Sequence, residues 1–88
     1  MVPLNILCQS PVSEGRSPAD AVRHTIDLAT EADTLGYHRF WVAEHHSDRA
    51  LASASPEVMI AHLAASTTNL RIGAGGVLLP YYRPLKVA

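Results

Sequence analysis

Eighty-eight residues, 48% of them hydrophobic and with a formal net charge of −1, bound one small domain or a piece of a larger one and exclude a disordered or polycationic chain. The seven lysines and arginines are scattered without interleaved aromatics, which argues against a nucleic-acid surface. The single Cys8 excludes an internal disulfide and a cysteine-only metal site, no apolar run approaches the roughly 20 residues that span a bilayer, and Met1 to Asn5 lacks the pattern of a signal peptide, so a cytoplasmic setting is expected.

In chain order, Leu4 to Cys8 is a short apolar run and reads as a first strand, followed by a polar loop from Val12 to Arg16 with Gly15 as its flexible point. Ser17-Pro18-Ala19-Asp20 opens a helix, with Ser17 as N-cap, Pro18 at the first helical position and Asp20 near the positive end of the helix dipole. Val22, Ile26, Ala29, Ala32 (or Asp33) and Leu35 recur at spacings of three and four and form its apolar stripe, and Gly36 sits where a left-handed C-cap belongs.

The stretch Tyr37 to His46 starts apolar and aromatic, as a buried strand does, and ends in Glu44-His45-His46. Small and polar residues follow from Ser47 to Ala54. Ser55-Pro56-Glu57 repeats the earlier cap pattern, Met59, Ile60, Leu63 and Ala64 give a second helical stripe, and Thr67-Thr68-Asn69 ends it. Leu70 to Leu79 reads as a third strand loosened by glycines and stopped by Pro80, and Pro84 to Ala88 as the first turn of a third helix. The order β-α-β-α-β-(α) suits parallel strands joined by right-handed crossovers; periodicity alone leaves a doubly wound sheet and a (β/α)₈ barrel both open. In either, ligands bind at the carboxyl ends of the strands, which is where Glu44, His45 and His46 lie.

Histidine and glutamate are zinc ligands, but neighbouring residues on a strand point to opposite faces, so His45 and His46 would chelate together only after a sharp bend. The spacing also departs from the helical H-E-x-x-H pattern, and no metal is assigned. Gly73-Ala74-Gly75-Gly76 does not spell the dinucleotide fingerprint and falls inside a strand, which reads as a bulge or a place of close backbone approach. Phe40 and Trp41 are expected in the core, His24 and His62 on the surface, Cys8 as a small buried hydrophobe, and Tyr81 and Tyr82 at a substrate mouth.

These pieces, taken in order, carry a family resemblance. Leu35-Gly36-Tyr37 leading into Phe40-Trp41-Val42-Ala43-Glu44-His45-His46, then Ser55-Pro56-Glu57, Leu70 to Pro80 and Pro84 to Ala88 make the chain similar to the N-terminal part of bacterial luciferase-like, flavin-dependent monooxygenases. Many members carry a carboxylate near the position of Cys8. The resemblance implies the N-terminal β-α-β-α-β part of a (β/α)₈ TIM barrel over residues 1–88, incomplete because such a barrel needs roughly 250 residues. It implies reduced FMN, or F420 in some branches, supplied by a reductase and used with O₂ to oxidise a small organic substrate. It also makes His45 the acid/base near the flavin, oriented or charge-balanced by Glu44. Ala74, Gly75 and Gly76 become flavin support, with a non-proline cis peptide at Gly75–Gly76. An imidazole ordinarily titrates near neutrality and suits proton transfer. Unpaired strand edges imply a homo-oligomer or a complementary chain, and little activity for the fragment alone. The rival readings are a structural half of a split barrel and a metal-dependent barrel hydrolase.

Overall fold

A computed structural model describes residues 2–88. Its elements are β1 (Asn5–Cys8), α1 (Pro18–Leu35), β2 (Arg39–Val42), α2 (Pro56–Ser66), β3 (Arg71–Ala74), a 3₁₀ turn (Leu79–Tyr81) and one helical turn, α3 (Pro84–Val87). The three strands are parallel in the order β1-β2-β3, so β2 is central. The register is in step across the sheet: Ile6, Phe40 and Ile72 form one row, Leu7, Trp41 and Gly73 the next, and Cys8, Val42 and Ala74 the last.

One face of this sheet is covered and the other is bare. Cys8, Phe40 and Val42 pack with Ala29 and Ala32 of α1 and with Leu63 and Leu70 into a buried cluster. Full burial of side chains such as Phe40 and Leu63 is worth about 1.5–3 kcal/mol each. On the opposite face Leu7 is 59% exposed. Trp41 shares its row, so it is a half-buried residue of the open face and not the core residue expected, whereas Phe40 is fully buried.

Helix α1 begins as the sequence predicts. Ser17 accepts from the Asp20 amide at 3.1 Å, and the Asp20 carboxylate accepts from the Ser17 amide at 3.1 Å, a reciprocal capping box. It ends at Gly36, whose φ of 86° is left-handed and costs glycine little. The buried face differs from the expected stripe: Ala21, Thr25, Ala29 and Ala32 are buried, Val22 and Ile26 half-buried, and Leu35 is 67% exposed. Thr25 is tolerated there because its hydroxyl donates to the Ala21 carbonyl (2.9 Å) and pairs with the Ser10 hydroxyl (2.7 Å). Helix α2 departs from the cap pattern, since Ser55 makes no side-chain cap bond and the third helical position is Val58 in place of a carboxylate.

Both later strands are shorter than the sequence suggests. β2 stops at Val42 because the next polar groups bond elsewhere: the Ala43 carbonyl accepts from the Ser53 hydroxyl, and the His45 amide donates to the Ser53 carbonyl at 2.7 Å. β3 stops at Ala74, with one further ladder bond from the Gly75 amide to the Val42 carbonyl at 2.7 Å, and Pro80 lies within the 3₁₀ turn. The loops after β1 and β2 zip together through an antiparallel bridge between Pro11 and Leu51 and a bond from the Val12 amide to the Ala50 carbonyl at 2.7 Å.

Asp33 joins α1 to the entry of β3. Its carboxylate accepts from the amides of Thr68 (2.8 Å), Asn69 (2.9 Å) and Leu70 (2.8 Å), and these bonds, with Thr68 and Asn69 foremost, hold its carboxyl below the ordinary 3.8. A lowered folded value means that the stabilisation is fully present above pH 3.8 and is lost as pH falls through the folded value. Asp33→Asn is therefore expected to lower the melting temperature by a few degrees at neutral pH, and the gap to wild type should narrow as pH falls below 3.8 and through the lowered folded value. A gap that persists unchanged in acid would contradict this account.

Gly73 lies beneath the Trp41 ring, and a Cβ there would stand 2.9 Å from Trp41 Cζ3. Gly73→Ala is expected to displace the ring, cost about 1–3 kcal/mol, and shift the emission of the single tryptophan, Trp41. Unchanged emission and stability would remove this packing reason for the glycine.

Candidate functional site

The bend after β2 delivers three polar side chains to the carboxyl end of the sheet. Burial alternates along it: Phe40, Val42 and Glu44 are buried, while Trp41, Ala43 and His45 are half-buried. Glu44 therefore continues the inward-facing set of the strand, with only 1% of its side chain exposed. A carboxylate so placed needs donors. It has three: His46 Nε2 at 2.6 Å, the Leu78 amide at 3.1 Å and the Tyr82 hydroxyl at 2.8 Å. Burial opposes its ionisation, but these donors outweigh burial and hold the Glu44 carboxyl below its ordinary value of 4.5.

The partner of Glu44 is thus His46 and not His45, which corrects the expectation that the carboxylate orients His45. Because an ionised carboxylate only accepts, Nε2 of His46 carries a hydrogen in this pair. The His46 ring also lies against Tyr81, with centroids 4.3 Å apart and planes inclined by 31°. His45 is anchored through its main chain alone, by the bond to Ser53, and its half-buried ring has no hydrogen-bond partner within the chain among the described residues.

Tyr82 and Leu78 are the members that sequence reasoning did not assign to the site's bonding. They stand 38 and 34 residues from Glu44, and no local pattern announces a contact over such a separation. The bond to Glu44, then burial and the charges of Glu44 and Glu57, push the Tyr82 phenol far above its ordinary value, so it stays a donor. Lys86 extends the cluster: its ammonium lies 4.9 Å above the Tyr82 ring and 3.1 Å from Glu57 at the start of α2. That ion pair holds the Glu57 carboxyl below its ordinary value against burial.

Ala74 closes β3 opposite Val42, and Gly75 and Gly76 follow with exposed backbone. A Cβ at Gly76 would meet nothing within 4 Å. The described residues contain no cis peptide bond, so Gly75–Gly76 is trans in this chain, and the Gly75 amide completes the ladder with β2; the cis or bulged geometry is expected of the complete, flavin-bound barrel. Among the described residues no three of His, Cys, Asp and Glu converge in a way that could hold a metal ion. No helix among them is long and apolar enough to cross a membrane.

Comparison with known proteins agrees with this arrangement of strands. N-acetyl-S-alkylcysteine monooxygenase of Bacillus subtilis (strain 168) is 50% identical over 88 residues, which is 100% of this chain and 26% of that protein. Among solved structures, apo-MsnO8 superposes with a TM-score of 0.95 at 53% identity, covering 100% of this chain and 27% of its own. The oxygenating constituent of the 3,6-diketocamphane monooxygenase from the CAM plasmid of Pseudomonas putida, a type II Baeyer-Villiger monooxygenase in complex with FMN, superposes with a TM-score of 0.89 at 26% identity, covering 99% of this chain and 24% of that one. The chain spans about a quarter of the length of the curated relatives it matches. Its three parallel strands and two crossover helices correspond to part of the TIM barrel of these neighbours. The family model for luciferase-like monooxygenases matches residues 2–88, nearly every position, and the chain belongs to that family.

Proposed function

We propose that residues 1–88 form the N-terminal part of a (β/α)₈ barrel that binds reduced FMN and uses O₂ to oxidise a small organic substrate, with His45 as its acid/base and the backbone of Ala74, Gly75 and Gly76 supporting the flavin. The observation that carries the reading is the juxtaposition, at adjoining strand ends, of a histidine ring without an internal partner and a stretch of backbone without side chains. Bare backbone with open space over Gly76 fits a planar aromatic heterocycle, since a Cβ would hold such a ring away. Family membership and the FMN complex of the Pseudomonas putida relative support flavin in preference to a metal. F420 is the second cofactor to titrate, and a separate reductase is the source of reduced flavin.

When bound, reduced flavin supplies the two electrons with which O₂ gives one oxygen atom to the substrate and the other to water. The chain's own contribution is narrower. His45 accepts or returns a proton at a ring nitrogen. Gly75 and Gly76 present main-chain groups to the ring. The Glu44 cluster keeps the neighbouring segment in place.

The open face and the outer edges of β1 and β3 would be covered in the intact protein by the remaining strands of the barrel. Expressed alone, the 88-residue chain is expected to self-associate through those edges, to sediment heavier than a monomer and to turn over no substrate. In the full-length polypeptide, FMN titration should saturate, and His45→Ala should lower turnover by about 10²–10⁴-fold, far more than His46→Ala. Equal, small losses in the two variants would remove His45 from its role, and absence of saturable flavin binding would remove the flavin reading itself.

A further inference from the structure

We propose that Glu44 is a positioning residue: its buried carboxylate latches the segment leaving β3 to the end of β2, and through the Leu78 amide it sets the path of the Gly75–Gly76 backbone. The part of this inference that concerns cofactor binding rests on the reading of that backbone as flavin support. Three features carry it. The carboxylate is almost wholly buried, yet both of its oxygens are occupied: Oε2 by His46, and Oε1 by Leu78 and Tyr82. Two of the three donors come from the stretch between β3 and α3, where exposed apolar side chains predominate and the other ties are the Gly75 amide on the Val42 carbonyl, the bonds of the 3₁₀ turn and the ring contacts of Tyr81 with His46 and of Tyr82 with Lys86. The Leu78 amide lies two residues past Gly76, and a glycine pair has no side chain to set its own direction, so the next fixed point decides where it runs.

His46 completes the device from the other side. Its bond orients Glu44, and its ring packs on Tyr81, so the same carboxylate is gripped by the strand it leaves and by the turn it holds. Bonds to a charged acceptor are the stronger kind, and an uncharged side chain of the same shape holds the three donors less well.

The test uses the full-length polypeptide carrying Glu44→Gln, which keeps the size and removes the charge, and separately Tyr82→Phe, which removes one donor. Two quantities are read: the amide hydrogen exchange of Leu78 against that of Phe40 in the core of β2, and FMN affinity from quenching of flavin fluorescence. Glu31→Gln, on the exposed face of α1, serves as the control. Glu44→Gln is expected to speed Leu78 exchange by about tenfold while Phe40 is unchanged, and to weaken FMN binding by about tenfold. Tyr82→Phe should move both in the same direction by less. Should Glu44→Gln fail to fold, Tyr82→Phe decides the matter by the same two readouts. Unchanged Leu78 exchange overturns the latch. Faster exchange with unchanged FMN affinity overturns its connection to the flavin platform. A wild-type protein that binds no FMN overturns the flavin reading instead, and the latch then stands or falls on Leu78 exchange alone.

Discussion

Pairing of β2 on both of its edges is the interaction on which the remaining geometry depends. A central parallel strand has its backbone donors and acceptors taken by β1 on one side and β3 on the other, so it cannot slide without breaking two ladders at once. Its alternation is then fixed as well, with Phe40 and Val42 against the helices and Trp41 on the open face. The residues beyond the end of the strand inherit that phase. Glu44 arrives on the buried side and must find donors there, while His45 arrives between two buried-side positions with its ring uncommitted.

The edge strand β3, only four residues long, is held at both ends by carboxylates from elsewhere in the chain. Asp33 takes the three amides that lead into it, and Glu44 takes the Leu78 amide in the segment that leaves it. A short edge strand with a glycine at its centre has little packing of its own, so fixing both approaches substitutes for strand length. Both carboxyls are held below their ordinary values, so both clamps persist from neutral pH well into acid and fail only as the lowered folded values are crossed.

Residues whose role is set by near neighbours were legible in the sequence. The Ser17–Asp20 capping box, the left-handed Gly36 and the proline that opens each helix depend on three or four consecutive residues, and the structure has them at the expected positions. The ordered motifs from Leu35 to Ala88 were likewise sufficient to name the family. Strand ends were not legible: β2 stops where the distant Ser53 takes the next polar atoms, and β3 stops one ladder bond past Ala74, well before Pro80. The partner of Glu44 was legible in part: alternation along a strand separates Glu44 from His45 and puts Glu44 and His46 on one side, where the structure pairs them. Leu35 and Thr25 show the same limit in the helix, where apolarity suggested one stripe and the buried face is a row of smaller residues in which Thr25 is bonded to Ser10 and Ala21.

Where a ligand can lie against the open face depends on which rows are already filled. At the amino-terminal side Arg39 and Arg71 are paired in register, and the Arg39 guanidinium stands 5.8 Å from the Trp41 ring centroid. One row further the same ring covers Gly73, occupying the space where that residue's side chain would be. A barrel interior is packed in such layers and is not a pore, so these rows are places for side chains of neighbouring strands and closed to a large planar ligand. Beyond Trp41 the rows change character. Gly75 has only the tip of Leu7 and a backbone oxygen near its missing side chain, and Gly76 has nothing. Bare backbone thus begins where the aromatic filling ends, at the same end of the sheet from which the His45 segment leaves β2. That boundary is the physical argument for seeking the cofactor at the carboxyl end of these strands.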